Sequence, residues 1–223
     1  FMASPVQVEN RIFFPIQNYG SAMTPFYSIL ACWVGGVVLV AIFKTEVDED
    51  EQLLPRLTHS QRYLGRLLLF LLMTVLQALI ICVGDVYFLG TQCLNVPLFL
   101  FAGVVASIVF TLIIYTLTVS FGDIGKAIAV IIMIIQVAGS GGTFPIELVP
   151  AFFRKVYRLL PFTHAKNAKR EVIAGQYQNN YWLDLLKLCA HVPISLLLGL
   201  ALRRPFIRMN EFLEERLKDT HLM

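Results

Sequence analysis

The chain has 223 residues, 57% of them hydrophobic and only 15% charged, with a mean hydropathy of +0.69. Soluble domains carry nearer a quarter charged residues, so this composition excludes an ordinary soluble globule and points to lipid as the solvent. The net charge of +3 is spread over helix flanks without interleaved aromatics, which argues against a nucleic-acid partner.

In chain order, Val6 to Ile16 alternates in a β-prone pattern that ends at Pro15, and Asn18-Tyr19-Gly20-Ser21 supplies turn chemistry. The start at Phe1, with no basic n-region before an apolar core, reads as a continuation from a preceding segment rather than a signal peptide. Residues 1–23 are accordingly expected to close a preceding extracellular domain. Thr24 as N-cap with Pro25 at the first helical position predicts a span from there to about Phe43. Lys44 to Arg66 is a polar loop with a short helix, carrying an acidic run through Asp48, Glu49, Asp50 and Glu51 and then Arg56, Arg62 and Arg66.

A second span is expected from about Leu67 to Gly90, with Asp85 and Tyr87 marking the approach to the interface, and Thr91 to Pro97 turns the chain. Leu98 to Phe121 forms a third span. Gly122-Asp123-Ile124-Gly125-Lys126 then makes a tight helical hairpin into a fourth apolar run from about Ala127. That run meets Gln136 and the glycines Gly139, Gly141 and Gly142 after roughly a dozen residues, short of the usual 20 or so. Gly139 to Asn180 is irregular, with Pro145, Pro150 and Pro161 among apolar patches and a basic helical stretch around Lys166, Lys169 and Arg170. A broken helix is expected at Gly139, Gly141, Gly142 and Pro145, followed by re-entrant or interfacial pieces packed on the bundle. The competing expectation is a plain extracellular loop with a helix at Pro150 to Leu159. Tyr181-Trp182 opens a fifth span that runs to about Leu202, where Arg203-Arg204-Pro205 stops it.

The fold class that follows is all-α: a polytopic membrane bundle of about five transmembrane helices over residues 24–202, with a re-entrant or interfacial helical segment before the last. Residues 203–223 carry Phe206, Met209, Leu213 and Leu217 at helical spacing and suit a cytosolic amphipathic helix. Lys and Arg in the flanks favour the N-terminal side outside and the loop at Lys44 to Arg66 inside, with Arg66 and Arg203-Arg204 directly abutting spans.

Several polar constellations stand inside this apolar frame. Asp184, Lys187, His191 and Ser195 share one face of the last span, which either pairs and snorkels near Trp182 or lines a bundle interior. Ser107, Thr111, Tyr115 and Thr118 form a stripe on the third span, read either as glue between helices or as a cavity wall. The acidic run at 48–51 is either a solvated loop or a partner-docking element. No His, Ser and carboxylate combine into a catalytic set, and the four cysteines show no metal-ligand or disulfide spacing, so no enzyme activity, metal or cofactor is expected.

FMASPV at Phe1 to Val6, NYGSAMTPFYSILACWVGG from Asn18, GSGGTFPIELVPAFF from Gly139 and LLPFTHAKNAKREVIAG from Leu159 resemble the YhgE/Pip family, the phage-infection-protein-like members of the ABC-2 permease group. The resemblance implies one N-terminal span, a long extracellular domain and a cluster of five spans in the cell membrane of a Gram-positive bacterium. It also implies coupling through Lys44 to Arg66 to a separate ATP-binding subunit, in a homodimeric assembly. Gly122 to Ala127 lacks the spacing of a phosphate loop, so ATP use would lie in that other subunit. Two functions fit the resemblance: a permease exporting an unidentified apolar or surface-bound molecule, or a scaffold displaying an extracellular domain as a phage receptor or a type VII secretion accessory.

Overall fold

A computed structural model describes residues 14–45, 59–142, 146–176 and 178–200. Seven α-helices account for most of them, and no strand occurs among the described residues. They are α1 (Tyr19–Ile42), α2 (His59–Val83), α3 (Val96–Gly139), α4 (Ala151–Val156), α5 (Pro161–Ala174), α6 (Asn180–Cys189) and α7 (His191–Leu200). Four helical stretches are long and apolar enough to cross a bilayer: Tyr19–Ile42, Ser60–Phe88, Val96–Gly139 and Asn180–Leu200.

The 44 residues of α3 exceed what one crossing needs, and the chain folds back at Gly122, whose φ of 60° and ψ of −134° are outside the helical region. A Cβ on Gly125 would run into the backbone of Leu117 and Thr118, so the two arms lie side by side immediately after the turn. Trp33 of α1 confirms the reversal, since its ring packs on Phe110 of the outgoing arm while its indole nitrogen donates to the carbonyl of Ala129 on the returning arm at 3.3 Å. Among the described residues the chain therefore makes five helical passes, as the apolar runs lead one to expect.

Two starts differ from expectation. The first helix begins at Tyr19, capped by Asn18, whose side chain accepts from the Ser21 N–H at 2.8 Å; Thr24 instead lies inside the helix and donates to the Gly20 carbonyl. Asn is as strong a cap as Thr, and Pro25 is tolerated one turn further in. The second helix starts near His59 rather than Leu67, so Arg62 and Arg66 ride on its first turns. It also ends differently, in a π-helical turn from Gly84 to Phe88 that swings Asp85 into the protein. The last pass is two helices, because Pro193 offers no N–H to the Cys189 carbonyl and the ladder breaks at Ala190.

Burial follows the requirements of lipid. On α2 the inward residues Tyr63, Leu67, Phe70, Thr74, Ala78 and Cys82 are buried, while Leu68, Leu72, Leu76 and Ile80 on the opposite face are exposed apolar side chains. Both faces are hydrophobic, and the small and hydroxyl residues Thr74, Ala78 and Cys82 lie on the contact side. That division is the reverse of a soluble amphipathic helix and fits a helix between protein and acyl chains.

Hydrogen bonds across the bundle separate its two ends. At one end Gln92 donates its backbone N–H to Ser21 Oγ at 3.0 Å and Thr24 meets Thr91 at 3.0 Å. At the other, Arg66 clasps the Lys44 carbonyl with Nε at 2.9 Å and Nη2 at 2.6 Å. Replacing Gly122 by Ala forces a side chain into a conformation reserved for Gly, at a cost of about 1–3 kcal/mol. Gly125→Leu, which meets backbone rather than a yielding side chain, is expected to lower the melting temperature of purified protein further than Gly122→Ala, and to reduce the monodisperse fraction in size-exclusion chromatography.

Candidate functional site

The described element that least suits a membrane is α5. Its 14 residues include Thr163, His164, Lys166, Asn167, Lys169 and Arg170, and it is too short to span, yet it is largely buried against α1, α3 and α6. The chain enters it through α4 and a 3₁₀ turn at Tyr157–Leu159, and Phe153 and Leu160 pack at the end of α3 against Gly139. The helical segment before the last pass thus lies on the bundle rather than standing clear of it.

The inward ionisable side chains of α5 each have a specific partner, whereas the buried Thr163 hydroxyl has none among the described residues. Lys166 Nζ donates to the Ser140 carbonyl at 2.7 Å and to that of Gly141 at 3.3 Å, placing a cation on the exposed carbonyl end of α3. His164 Nδ1 lies 2.9 Å from Asp184 Oδ1 of α6, and its Nε2 lies 3.0 Å from the Arg158 carbonyl. The N-terminus of α5 has no side-chain cap of its own; Gln136 of α3 supplies one by accepting from the Phe162 N–H at 3.1 Å.

The deepest of these contacts is a buried charge pair. Lys169 is fully buried, with Nζ 3.8 Å from Asp85 Oδ2, 3.1 Å from Cys82 Sγ and 4.1 Å from the centre of the Phe99 ring. Asp85 is also bonded by Ser28 Oγ of α1. Gly103 of α3 leaves the space, since a Cβ there would strike Cys82 and lie 3.5 Å from Lys169 Cε. Four elements, α1, α2, α3 and α5, converge on one ion pair. From the sequence, Asp85 marks the approach to the interface and Lys169 belongs to a basic helical stretch; their pairing is not foreseen. The available clue was a Lys on a helical stretch and an Asp in an apolar run, since ionisable residues at membrane depth are rare and pair with one another.

A cavity of about 330 Å³ adjoins the N-terminus of α5. Its walls are apolar, with Trp33 from α1, Ile113 and Ile132 from the two arms of α3, Pro161 from α5 and Ile194 from α7. Three polar residues, Thr116, His191 and Ser195, also line it.

The polar residues singled out from the sequence fall into three groups. Ser107 and Tyr115 reach across to α2, donating to the carbonyls of Thr74 at 2.8 Å and Tyr63 at 3.2 Å, whereas Thr118 donates within its own helix to Ile114; the stripe, including buried Thr111, joins helices rather than facing the cavity. Thr116, one residue off that stripe, is the hydroxyl that reaches the cavity, and sequence reasoning passed over it. On the last pass His191 and Ser195 line the cavity and Asp184 points to His164, but Lys187 has a side chain 59% exposed and does not turn inward. Gly139, Gly141 and Gly142 lie at the end of α3, Gly141 with φ 61°. Asp48, Glu49, Asp50, Glu51, Arg56 and Pro145 fall outside the described residues.

Helices of this length, joined through buried polar contacts, define a multi-pass α-helical membrane protein. The chain belongs to the ABC-2 transporter family: the family described as ABC-2 family transporter protein matches residues 3–201. It is similar to uncharacterized protein YhgE of Bacillus subtilis (strain 168), with 30% identity over 173 residues, which make up 78% of this chain and 22% of that relative. The chain therefore spans under a quarter of the length of the curated relative it matches. No solved structure matches it.

Removing one member of the Lys169–Asp85 pair strands the other, at an expected cost of about 3–5 kcal/mol. Lys169→Met should therefore lower the thermal midpoint in detergent markedly. Asp85→Asn combined with Lys169→Met should recover most of the loss, because no net charge is then left buried and Ser28 can still bond the amide. A double variant no more stable than Lys169→Met alone would show that the pair is not the source of the effect.

Proposed function

We propose that this chain is the membrane permease part of an ABC-2-type exporter, moving an apolar or surface-bound molecule with energy from a separate ATP-binding subunit. The observation that carries the reading is the cavity beside α5: an apolar chamber lined by α1, both arms of α3, α5 and α7, in a family of transporters. Pockets of a few hundred Å³ with apolar walls and a few polar groups are the usual form of small-molecule sites.

The ends of the bundle receive sides in this reading. The end bearing Gln92 and α4 faces outward, with the chain ahead of α1, which begins at Tyr19, closing an extracellular domain. The end bearing Arg66 and the hairpin at Gly122 faces the cytosol; the amphipathic tail expected at 203–223 lies outside the described residues. Burial of Lys166 and Lys169 supports this choice, because side chains inside the bundle carry no weight as loop charges, and the basic majority on the proposed inner flanks grows accordingly.

The loop between α1 and α2 is the proposed coupling element. Its two ends are tied by Arg66 to the Lys44 carbonyl, so force applied to the loop is delivered to α1 and α2 together, and both helices carry partners of the Lys169 pair. Two copies of the chain, in the cell membrane of a Gram-positive bacterium, are taken to form the working unit.

Purification of the full-length protein from its own membranes in mild detergent tests the reading. An ATP-binding subunit should co-purify with wild type, and deletion of Asp48 to Glu51 should weaken that association while expression is unchanged, since solvated loop charges contribute little to stability. Equal recovery of every cytosolic partner by both proteins would remove the coupling role. Orientation is tested with an impermeant maleimide on a variant whose cysteines other than Cys93 are replaced. Cys93 should label in intact cells, and a cysteine introduced at Thr58 only after permeabilisation; the opposite pattern inverts the topology. Burial pushes the Cys93 thiol above its usual range, so less of it is thiolate at neutral pH and its labelling should accelerate as the pH is raised.

A further inference from the structure

We propose that the cavity takes a hydrocarbon chain of a membrane amphiphile whose phosphate headgroup is bound by Arg154, Lys155 and Arg158. The proposal rests on the permease reading for the transport step and names the chemical class of its cargo.

The direction of the opening is the first argument. Ile194 and Leu159 both line the cavity and are 58% and 72% exposed, so the chamber opens sideways between the last pass and the turn before α5. The two helices that supply Ile132 and Ile194 to the lining also carry the exposed apolar residues Ile131, Ile134 and Leu197. In a bilayer such an opening meets acyl chains, and a cargo enters it from lipid without crossing water.

The lining chemistry is the second argument. Ser195 Oγ donates to the His191 carbonyl at 3.0 Å, and Thr116 Oγ1 pairs with Tyr63 OH at 2.7 Å. The ring nitrogens of His191 face the carbonyls of Leu159 at 3.0 Å and Lys187 at 3.2 Å. The polar lining is already engaged in holding the bundle together, and the free surface offered to a guest is hydrocarbon. A polar guest would surrender its water without replacement bonds, whereas an alkyl or isoprenoid chain gives up nothing of that kind.

The third argument is charge at the edge of this site. Arg154 and Lys155 close α4 and Arg158 lies in the turn that runs directly into Leu159; all three are exposed. No Asp or Glu occurs from Ala151 to Arg170, so the segment bordering the cavity is uniformly basic. Exposed Phe152 and Leu159 beside these cations make α4 and its turn amphipathic, with apolar side chains for the acyl region and guanidinium and ammonium groups for a phosphate at its border. A phosphate-bearing amphiphile satisfies both features at once: its chain fills the cavity and its headgroup meets Arg154, Lys155 and Arg158.

Photo-crosslinking tests the proposal. The full chain is reconstituted in phosphatidylcholine nanodiscs with a trace of one chain-labelled diazirine probe: phosphatidylglycerol, a polyprenyl phosphate or phosphatidylcholine. Mass spectrometry locates adducts on the segment from Leu159 to Pro161 and on α7. One or both anionic probes should label these segments about tenfold more than phosphatidylcholine, given the attraction of clustered basic side chains for anionic lipid. Their relative yield tells a phospholipid from an isoprenoid carrier. Leu198→Trp, and Ile113→Trp from another wall, should reduce labelling there by all three probes. Arg154→Gln with Lys155→Gln and Arg158→Gln should abolish the anionic preference, and Arg154→Lys with Lys155→Arg and Arg158→Lys should restore it, which separates charge from folding. Equal labelling by zwitterionic and anionic probes in wild type, or undiminished labelling in both monodisperse Trp variants, would overturn the proposal. If labelling fails while an ATP-binding subunit still co-purifies, the cargo class is wrong and the permease reading stands. If labelling succeeds and no such subunit is found, the amphiphile site stands and the permease reading fails.

Discussion

A helix that cannot cross a membrane must still have its polar groups satisfied inside one, and α5 is where this chain meets that demand. Backbone and side-chain polar groups away from water have to be bonded within the protein. The inward ionisable residues of α5 and its N-terminus are each matched to a site on the passes around it: Lys169 to Asp85, Lys166 to the carbonyls at the end of α3, His164 to Asp184, and the N-terminal Phe162 N–H to Gln136. Hydrophobic burial gives little preference for one helix arrangement over another in lipid, because acyl chains are as apolar as leucine. The register of the bundle depends instead on bonds such as these, which are lost if a pass slides by one residue.

Much of this architecture is legible in the sequence, and the physical reason is the bilayer thickness. Apolar runs near 20 residues identify the passes, and Gly122 to Lys126 identifies the reversal because no other polar break interrupts the long run of α3. Helix starts are less legible, since caps recur: Asn18 and Thr24 each qualify on local grounds, and only the tertiary contacts of Ser21 and Thr24 with Gln92 and Thr91 select the earlier one.

The charge centre was hidden for a different reason. Asp85 and Lys169 each have an innocent reading as an interfacial charge, and their partnership joins residues far apart in the chain through a π-helical turn that hydropathy does not reveal. His164 is likewise inconspicuous until α5 folds back beside the last pass and brings it to Asp184. The face of His191 and Ser195, by contrast, was visible from helical spacing alone, because i, i+4 neighbours stay together whatever the tertiary structure does.

The charge centre and the cavity share one helix, α5. Pro161 at the first turn of α5 is part of the cavity wall, and Lys169, about two turns along the same helix, is held by Asp85. Leu159, just before the helix, is tied to His191 of α7. A guest that pushes on Pro161 consequently pushes on the helix that holds Lys169, and a movement of α1 or α2 that shifts Ser28 or Asp85 moves the wall at Pro161 in return. Reciprocity of this kind requires only that the two sites bias the position of the same element. Placing a charge pair rather than an apolar contact at the far end holds α5 in place, since separation of Lys169 from Asp85 leaves two buried charges uncompensated.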